Sequence, residues 1–194
     1  MLIPFGKFRN TEMISLPKYY LKWLTKSVYV NKYDFVKRNY PEVIAEARKI
    51  LNPSSKFELL SKKYLDDNNI KFIQEHSYKS FYRYKDCPYR FDFYINNMFL
   101  FEIDGNQHFE FTPYFHKSMK SFEEQQKRDR LKNIFCEVNR IPLLRVSYSE
   151  GNNIPNIIDN YMKNKNNIIT YVGKEYNQNY HNYKIEVNLD RLKI

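Results

Sequence analysis

Residues 89–109 read YRFDFYINNMFLFEIDGNQHF, and the way the two apolar halves of this stretch pair fixes both the sheet and the chemistry it can carry. Tyr89–Ile95 and Phe99–Asp104 alternate aromatic or aliphatic residues with polar ones, the period of a strand. Asn96-Asn97 between them is a hairpin signal, since both residues tolerate positive φ. Glu102 and Asp104 are two apart, so they leave their strand from one face. Whether Asp92 joins them depends on the turn. A two-residue loop, Asn96-Asn97, sets Asp92 opposite Phe101 and away from Glu102. A three-residue loop, Asn96-Asn97-Met98, sets Asp92 opposite Glu102 and Arg90 opposite Asp104, all on one side. Phe91, Phe93, Phe101 and Ile103 then point together into the core. Only this second register yields a coherent apolar face, and it is the one predicted.

Working outward, PEVIAEARKIL (41–51) reads as a helix opened by Pro41 and broken by Asn52-Pro53-Ser54-Ser55. A second helix, Lys56–Asp67, carries Phe57, Leu60, Tyr64 and Leu65 on one face. Ile70–His76 is a strand and Tyr78–Asp86 a polar, aromatic connection. A long helix over Ser118–Asn139 carries Leu131, Ile134, Phe135 and Val138. It is followed by a strand at Ile141–Tyr148, a helix at Pro155–Asn164, and strands near Ile168–Val172 and Tyr183–Val187. From residue 56 the order is helix, three strands, helix, strand. That order specifies an α/β fold, with a mixed central sheet flanked by helices. The expected organisation is a small N-terminal module with a helical appendage (1–40), a core domain (41–165), and a C-terminal extension (166–194) packed on the core or partly mobile.

The chain has 194 residues and a net charge of +10, with a pI near 9.4. Such a balance favours polyanionic partners, nucleic acid above all. No apolar run approaches the roughly 18 residues that span a bilayer, so no membrane partner is expected. MLIPFGKFRN lacks a signal core, and Cys87 and Cys136 fall in no metal-ligand spacing. Both features suit an intracellular protein of the cytoplasm or nucleus, including that of a virus- or phage-infected host.

Carboxylates facing each other across a sheet repel, and burying them is costly. A hard cation relieves that repulsion, and Mg²⁺ (or Mn²⁺) takes one or two carboxylates together with waters and phosphate oxygens. The plainer alternative pairs Asp92 with Arg90 or a lysine on an exposed sheet face. Ser55 and Glu58 have the spacing of a capping box, which accounts for Glu58 without catalysis. Gly105 suits a turn at the strand end, and Gln107 either contacts phosphate or ends the strand. Lys127, Arg128, Arg130 and Lys132 share one helix; a solvated face is the default, and beside a carboxylate site they become candidate phosphate contacts. Arg145 alternates with Leu144 and Val146 and faces either the site or solvent. His76, His116 and His181 have no partners at useful spacing.

The series Ser55-x-x-Glu58, Phe91-Asp92-Phe93-Tyr94, Glu102-x-Asp104-Gly105-x-Gln107-His108-Phe109, Arg128-Asp129-x-x-Lys132 and Leu144-Arg145-Val146 resembles the PD-(D/E)XK nucleases. The likeness is greatest to the subgroup around very-short-patch repair endonucleases and some phage and homing endonucleases, over about half the chain. The resemblance implies a restriction-endonuclease-like core and a Mg²⁺-dependent endonuclease. Its metal would be held by Asp92, Glu102 and the carbonyl of Ile103, with DNA favoured over RNA as substrate and a monomer or homodimer as the working form. Phe91 stands where the motif has proline. Asp104 occupies the position of the motif lysine, a group that orients the attacking water and stabilises developing charge. Gln107, His108 and Lys132 are the candidates to replace it: His108 as general acid or base, Lys132 as electrostatic support. A catalytically inactive nucleic-acid-binding protein on this scaffold and an RNA-directed nuclease are the alternatives.

Nearer the start, Pro4-Phe5-Gly6-Lys7-Phe8-Arg9 and Pro17-x-x-Tyr20-Leu21-x-Trp23-Leu24 resemble a short module found beside or within nuclease-type proteins. Its lysines and aromatics suit nucleic-acid contact, and aromatic packing alone would also account for them.

Overall fold

The computed structural model describes residues 1–25, 38–51, 55–84, 87–164, 167–176, 180 and 189–194. They form two compact units, Met1–Ser55 and Lys56–Ile194.

In the first unit, Leu2 bridges Glu12 antiparallel, and two helices follow, α1 (Lys18–Thr25) and α2 (Pro41–Leu51). Their apolar stripes meet: Leu21 and Leu24 of α1 pack with Val43, Ile44 and Ala47 of α2, along with Ile3, Met13 and Leu16. The sequence reading assigned α2 to the core domain. Its stripe at i, i+1 and i+4 is instead buried against α1, so the boundary falls after α2 and not before it.

The second unit runs α3 (Lys56–Asp67), β1 (Phe72–Tyr84), β2 (Cys87–Ile95), β3 (Phe99–Asp104), α4 (Met119–Asn139), β4 (Leu143–Ser147), α5 (Ile154–Lys163) and β5 (Ile169–Val172). The sheet order is β1-β2-β3-β4-β5, antiparallel through β3 and parallel from β3 onward. This is the expected mixed sheet, and α4 and α5 are the crossovers that its parallel steps require. The C-terminal segment falls within this unit. The expected strand at Tyr183–Val187 lies outside the described residues.

Two elements differ from the sequence reading. The connection placed at Tyr78–Asp86 continues β1 as far as Tyr84. Phe81 acts as a strand residue once β2 offers a partner: it stacks on Phe135 with ring centroids 4.1 Å apart and on Tyr89 at 4.3 Å. The hairpin keeps the predicted three-residue loop, with Ile95 opposite Phe99 and Phe93 opposite Phe101. Asn96 and Asn97 take φ of 51° and 54°, and Met98 N–H donates to the Ile95 carbonyl at 2.8 Å. Phe93, Phe101 and Ile103 share one core cluster with α3 and α5, as expected. Phe91 does not. It joins Leu100, Phe135 and Phe81 in the other cluster, beneath α4. Glu75 of β1, between the ladder pairs Gln74–Phe93 and His76–Phe91, has φ of 55°, and the pairs on either side of it keep one register. Arg90 does not face Asp104 as expected; it makes an exposed pair with Glu75 at 3.2 Å.

Candidate active site

Sheet register and one helix assemble the site. On β3, Glu102 is opposite Arg145 of β4 and Asp104 is opposite Ser147. Above them runs α4, capped by Ser118, whose side chain accepts from Ser121 N–H at 3.3 Å. Asp129, Lys132, Asn133 and Cys136 recur at i, i+3, i+4 and i+7, so one face of α4 delivers all four to the sheet.

Lys132 Nζ donates to Glu102 Oε1 at 2.7 Å and lies 5.3 Å from the centre of the Phe91 ring. Asp92 Oδ2 accepts the Ile103 N–H at 2.8 Å, which fixes its carboxylate beside β3. Burial, then the charge of Glu102, hold the Asp92 carboxyl well above the usual carboxylate range, and Glu58 on α3 adds to the push. Glu102 is also raised, by burial first, although Lys132 and Arg145 oppose it. Burial would lower Lys132, but Glu102 and Asp92 more than offset that, so it stays an ammonium. Two carboxylates thus share one lysine and remain under-neutralised. Asp92, Glu102, Lys132 and, more remotely, Glu58 are the expected site residues that the structure brings together.

Beside this lies a second, closed network. Arg145 is fully buried and holds Asp104 with both forks, Nη2–Oδ1 at 2.6 Å and Nε–Oδ2 at 2.7 Å. Its Nη1 donates to Asn133 Oδ1 at 2.9 Å. Tyr176 from the C-terminal segment donates to Asp104 Oδ2 at 2.6 Å. His108 Nδ1 sits 2.8 Å from Asp129 Oδ2 and 3.3 Å from Asp104 Oδ1.

This network revises three expectations. Arg145, a candidate nucleic-acid contact, is sealed in the core by its partners and cannot reach a strand. Asp104, a candidate catalytic group, has both oxygens engaged and serves as the guanidinium's counter-charge. Desolvation alone would lower the His108 pKa, but Asp129 and Asp104 raise it to about 9. The ring is therefore an imidazolium at neutral pH, able to act as an acid but not as a base.

The donor sets can be tested against a divalent cation. Among the described residues, Asp104, His108 and Asp129 form the one group of three ligating side chains within 4.8 Å of one another. Arg145 Nη2 already lies 2.6 Å from Asp104 and 3.4 Å from Asp129. A guanidinium cannot be deprotonated to make room, so that group does not fit a metal. Asp92 and Glu102 do fit: they are hard oxygen donors whose mutual repulsion an added cation would relieve, and each has one carboxylate oxygen outside the hydrogen bonds above.

The remaining candidates divide. Gln107 folds back over Gly105, where a Cβ would meet its Oε1 at 2.3 Å, so the missing side chain makes room for the amide. Lys127 is exposed, while Arg128 and Arg130 are half-buried. Arg128 precedes Lys132 by one turn and shares its side of α4. His116 does have near partners, which the sequence reading did not expect: it accepts Thr112 N–H at 3.0 Å and meets Gln125 Oε1 at 3.1 Å. The sequence reading missed Asn133 and Tyr176 altogether. The place of Asn133 four residues after Asp129 signalled that the two share a helix face, whereas nothing local marked Tyr176.

A family model described as "Putative quorum-sensing-regulated virulence factor" matches residues 1–31. Two relatives come from invertebrate iridescent viruses. Uncharacterized protein 307L of invertebrate iridescent virus 6 is 40% identical over 62 residues, 32% of this chain and 31% of that protein. Uncharacterized protein 033L of invertebrate iridescent virus 3 is 38% identical over 48 residues, 25% of each. The matched segments thus span a third or less of each relative. No solved structure matches the chain, and among the described residues no helix is long and apolar enough to cross a membrane.

Proposed function

We propose that the larger unit is a metal-dependent nuclease that hydrolyses phosphodiester bonds in DNA, cutting internally. One observation carries this reading: Lys132 meets Glu102 at 2.7 Å beside Asp92, so that α4 supplies the lysine that β3 lacks at Asp104. Asp92, Glu102 and the Ile103 carbonyl would hold Mg²⁺ or Mn²⁺. When bound, such an ion polarises the phosphodiester and lowers the pKa of a coordinated water.

The chain's own groups do the rest. Asp92 and Glu102 crowd two carboxyls around one lysine, and an added cation would favour their ionised forms and relieve their repulsion. Lys132, held as an ammonium, stabilises charge developing on the phosphoryl oxygens and orients the attacking water; it is not a base. His108, already protonated, has Nε2 with which to donate to the leaving oxygen. Lys127 and Arg128 on α4 offer phosphate contacts next to these groups. DNA is preferred to RNA on the resemblance to endonucleases.

Supercoiled plasmid incubated with the protein and Mg²⁺, Mn²⁺ or EDTA tests the proposal. Metal-dependent nicking or linearisation, abolished in Asp92→Ala and in Glu102→Ala, is the expected result. No cutting with either metal, while the protein still retards DNA in a gel, would replace this reading with the non-catalytic binding protein.

A further inference from the structure

The N-terminal unit presents a face that its own core leaves uncovered. On α1, Leu21 and Leu24 are buried, while Lys18, Tyr19, Lys22 and Trp23 all face solvent, Tyr19 at 64% and Trp23 at 36% exposure. Lys18 and Lys22 are one i,i+4 pair and Tyr19 and Trp23 the adjacent one, so the ammonium groups run alongside the rings. The aromatic line continues off the helix. Trp23 stacks on Tyr20 with centroids 5.3 Å apart and planes 27° apart, Tyr20 meets Phe8 at 4.7 Å, and Lys7 Nζ lies 5.5 Å over Phe8. Gly6, with φ of 71°, lets the preceding turn come this close, since a Cβ there would stand 3.2 Å from the Tyr20 hydroxyl. Residues 1–25 hold Lys7, Arg9, Lys18 and Lys22 against a single acid, Glu12.

We infer that this face of α1 binds single-stranded nucleic acid, with bases stacking on Trp23 and Tyr19 and phosphates meeting Lys7, Lys18 and Lys22. Stacking on a ring requires an open base face, which a duplex closes between neighbouring pairs, and sequence-tolerant strand binders combine aromatic platforms with basic tracks. A protein partner suits the face less well, because lysine is depleted in the cores of protein interfaces. The inference rests on the reading that the chain works on nucleic acid, but it concerns residues that take no part in the carboxylate site.

Trp23 is the chain's only tryptophan, so its emission reports on this face alone. The full-length protein, in EDTA, is titrated with a fluorescein-labelled oligo-dT strand for anisotropy and with the unlabelled strand for Trp23 emission. The expected result is quenching with the same midpoint as the anisotropy. Binding should weaken by about tenfold or more in Trp23→Ala and in Lys18→Glu/Lys22→Glu, which is the scale of one lost stacking contact. Three outcomes would overturn the inference: absence of binding, binding that leaves Trp23 emission and the charge-reversal variant unaffected, or emission that follows protein concentration with a doubled sedimenting mass. Plasmid nicking run on the same preparations separates the two readings. Nicking without Trp23 quenching removes this inference and leaves the carboxylate site; quenching without nicking does the reverse.

Discussion

Asp92 is held in a place that an ionised carboxylate disfavours. Its folded pKa is raised by burial and by Glu102, so ionising it costs stability, and that cost is relieved as the pH falls through its folded pKa. Asp104 is the opposite case. Arg145 holds it below the usual range despite burial, and both groups are fully enclosed. Asp104→Asn should therefore destabilise the protein by about 3–5 kcal/mol, the scale for stranding one member of a buried pair. A large fall in the urea midpoint checks this, and an unchanged midpoint would show that Arg145 has other sufficient partners. His108 contributes with the other pH sign. Its pKa rises from 6.5 to about 9 on folding, so its stabilisation is fully present below about pH 6.5 and disappears as pH climbs through 9. The Tm difference between wild type and His108→Gln should shrink steadily from pH 6 to pH 10. A difference independent of pH would mean that the ring does not titrate in its pair with Asp129.

The elements differed in how far the sequence revealed them. The hairpin was legible because only one loop length let Phe93, Phe101 and Ile103 face inward together, and β3 spans the residues expected. Helices α2 and α3 were legible from Pro41, the 52–55 break and their apolar spacing. The extent of β1 through Tyr78–Tyr84 was not legible because it depends on β2 as a partner and crosses register shifts between Ser77 and Tyr84, which no local residue marks. Phe135 ties these pieces together, stacked on Phe81 and fully buried. Phe135→Ala should cost about 3–5 kcal/mol, measured by denaturant unfolding. A loss under 1 kcal/mol would show that β1 does not pack there. Of the site, Lys132 was legible through the resemblance, as a lysine on the following helix that could replace the one missing at Asp104, although the run it belongs to reads by default as a solvated face. The Asp104–Arg145 lock was not, because Arg145 in a strand could face either way until β4 was known to pair parallel with β3.

At the scale of the molecule, charge and chemistry occupy different places. The net charge is +10, and among the described residues Lys7, Lys18, Lys22, Lys62, Lys63, Lys117 and Lys120 are exposed, while the carboxylate site lies under α4. Affinity for DNA should accordingly fall steeply with salt, log K declining linearly in log salt for each phosphate neutralised. Asp92→Asn should leave that slope unaltered. A slope that changes in Asp92→Asn would place the carboxylate site among the main binding contacts.

The most direct test of the site is the Asp92→Asn protein itself, assayed together for plasmid nicking in Mg²⁺ and for thermal unfolding in EDTA. The asparagine keeps an oxygen to accept from Ile103 N–H and removes the charge that opposes Glu102. The expected result is a nicking rate lower by about two orders of magnitude or more, the scale for losing one charged group that acts in a transition state, with a Tm equal to or above that of wild type. Nicking at the wild-type rate would contradict the assignment of Asp92, and with it the carboxylate site proposed for this chain.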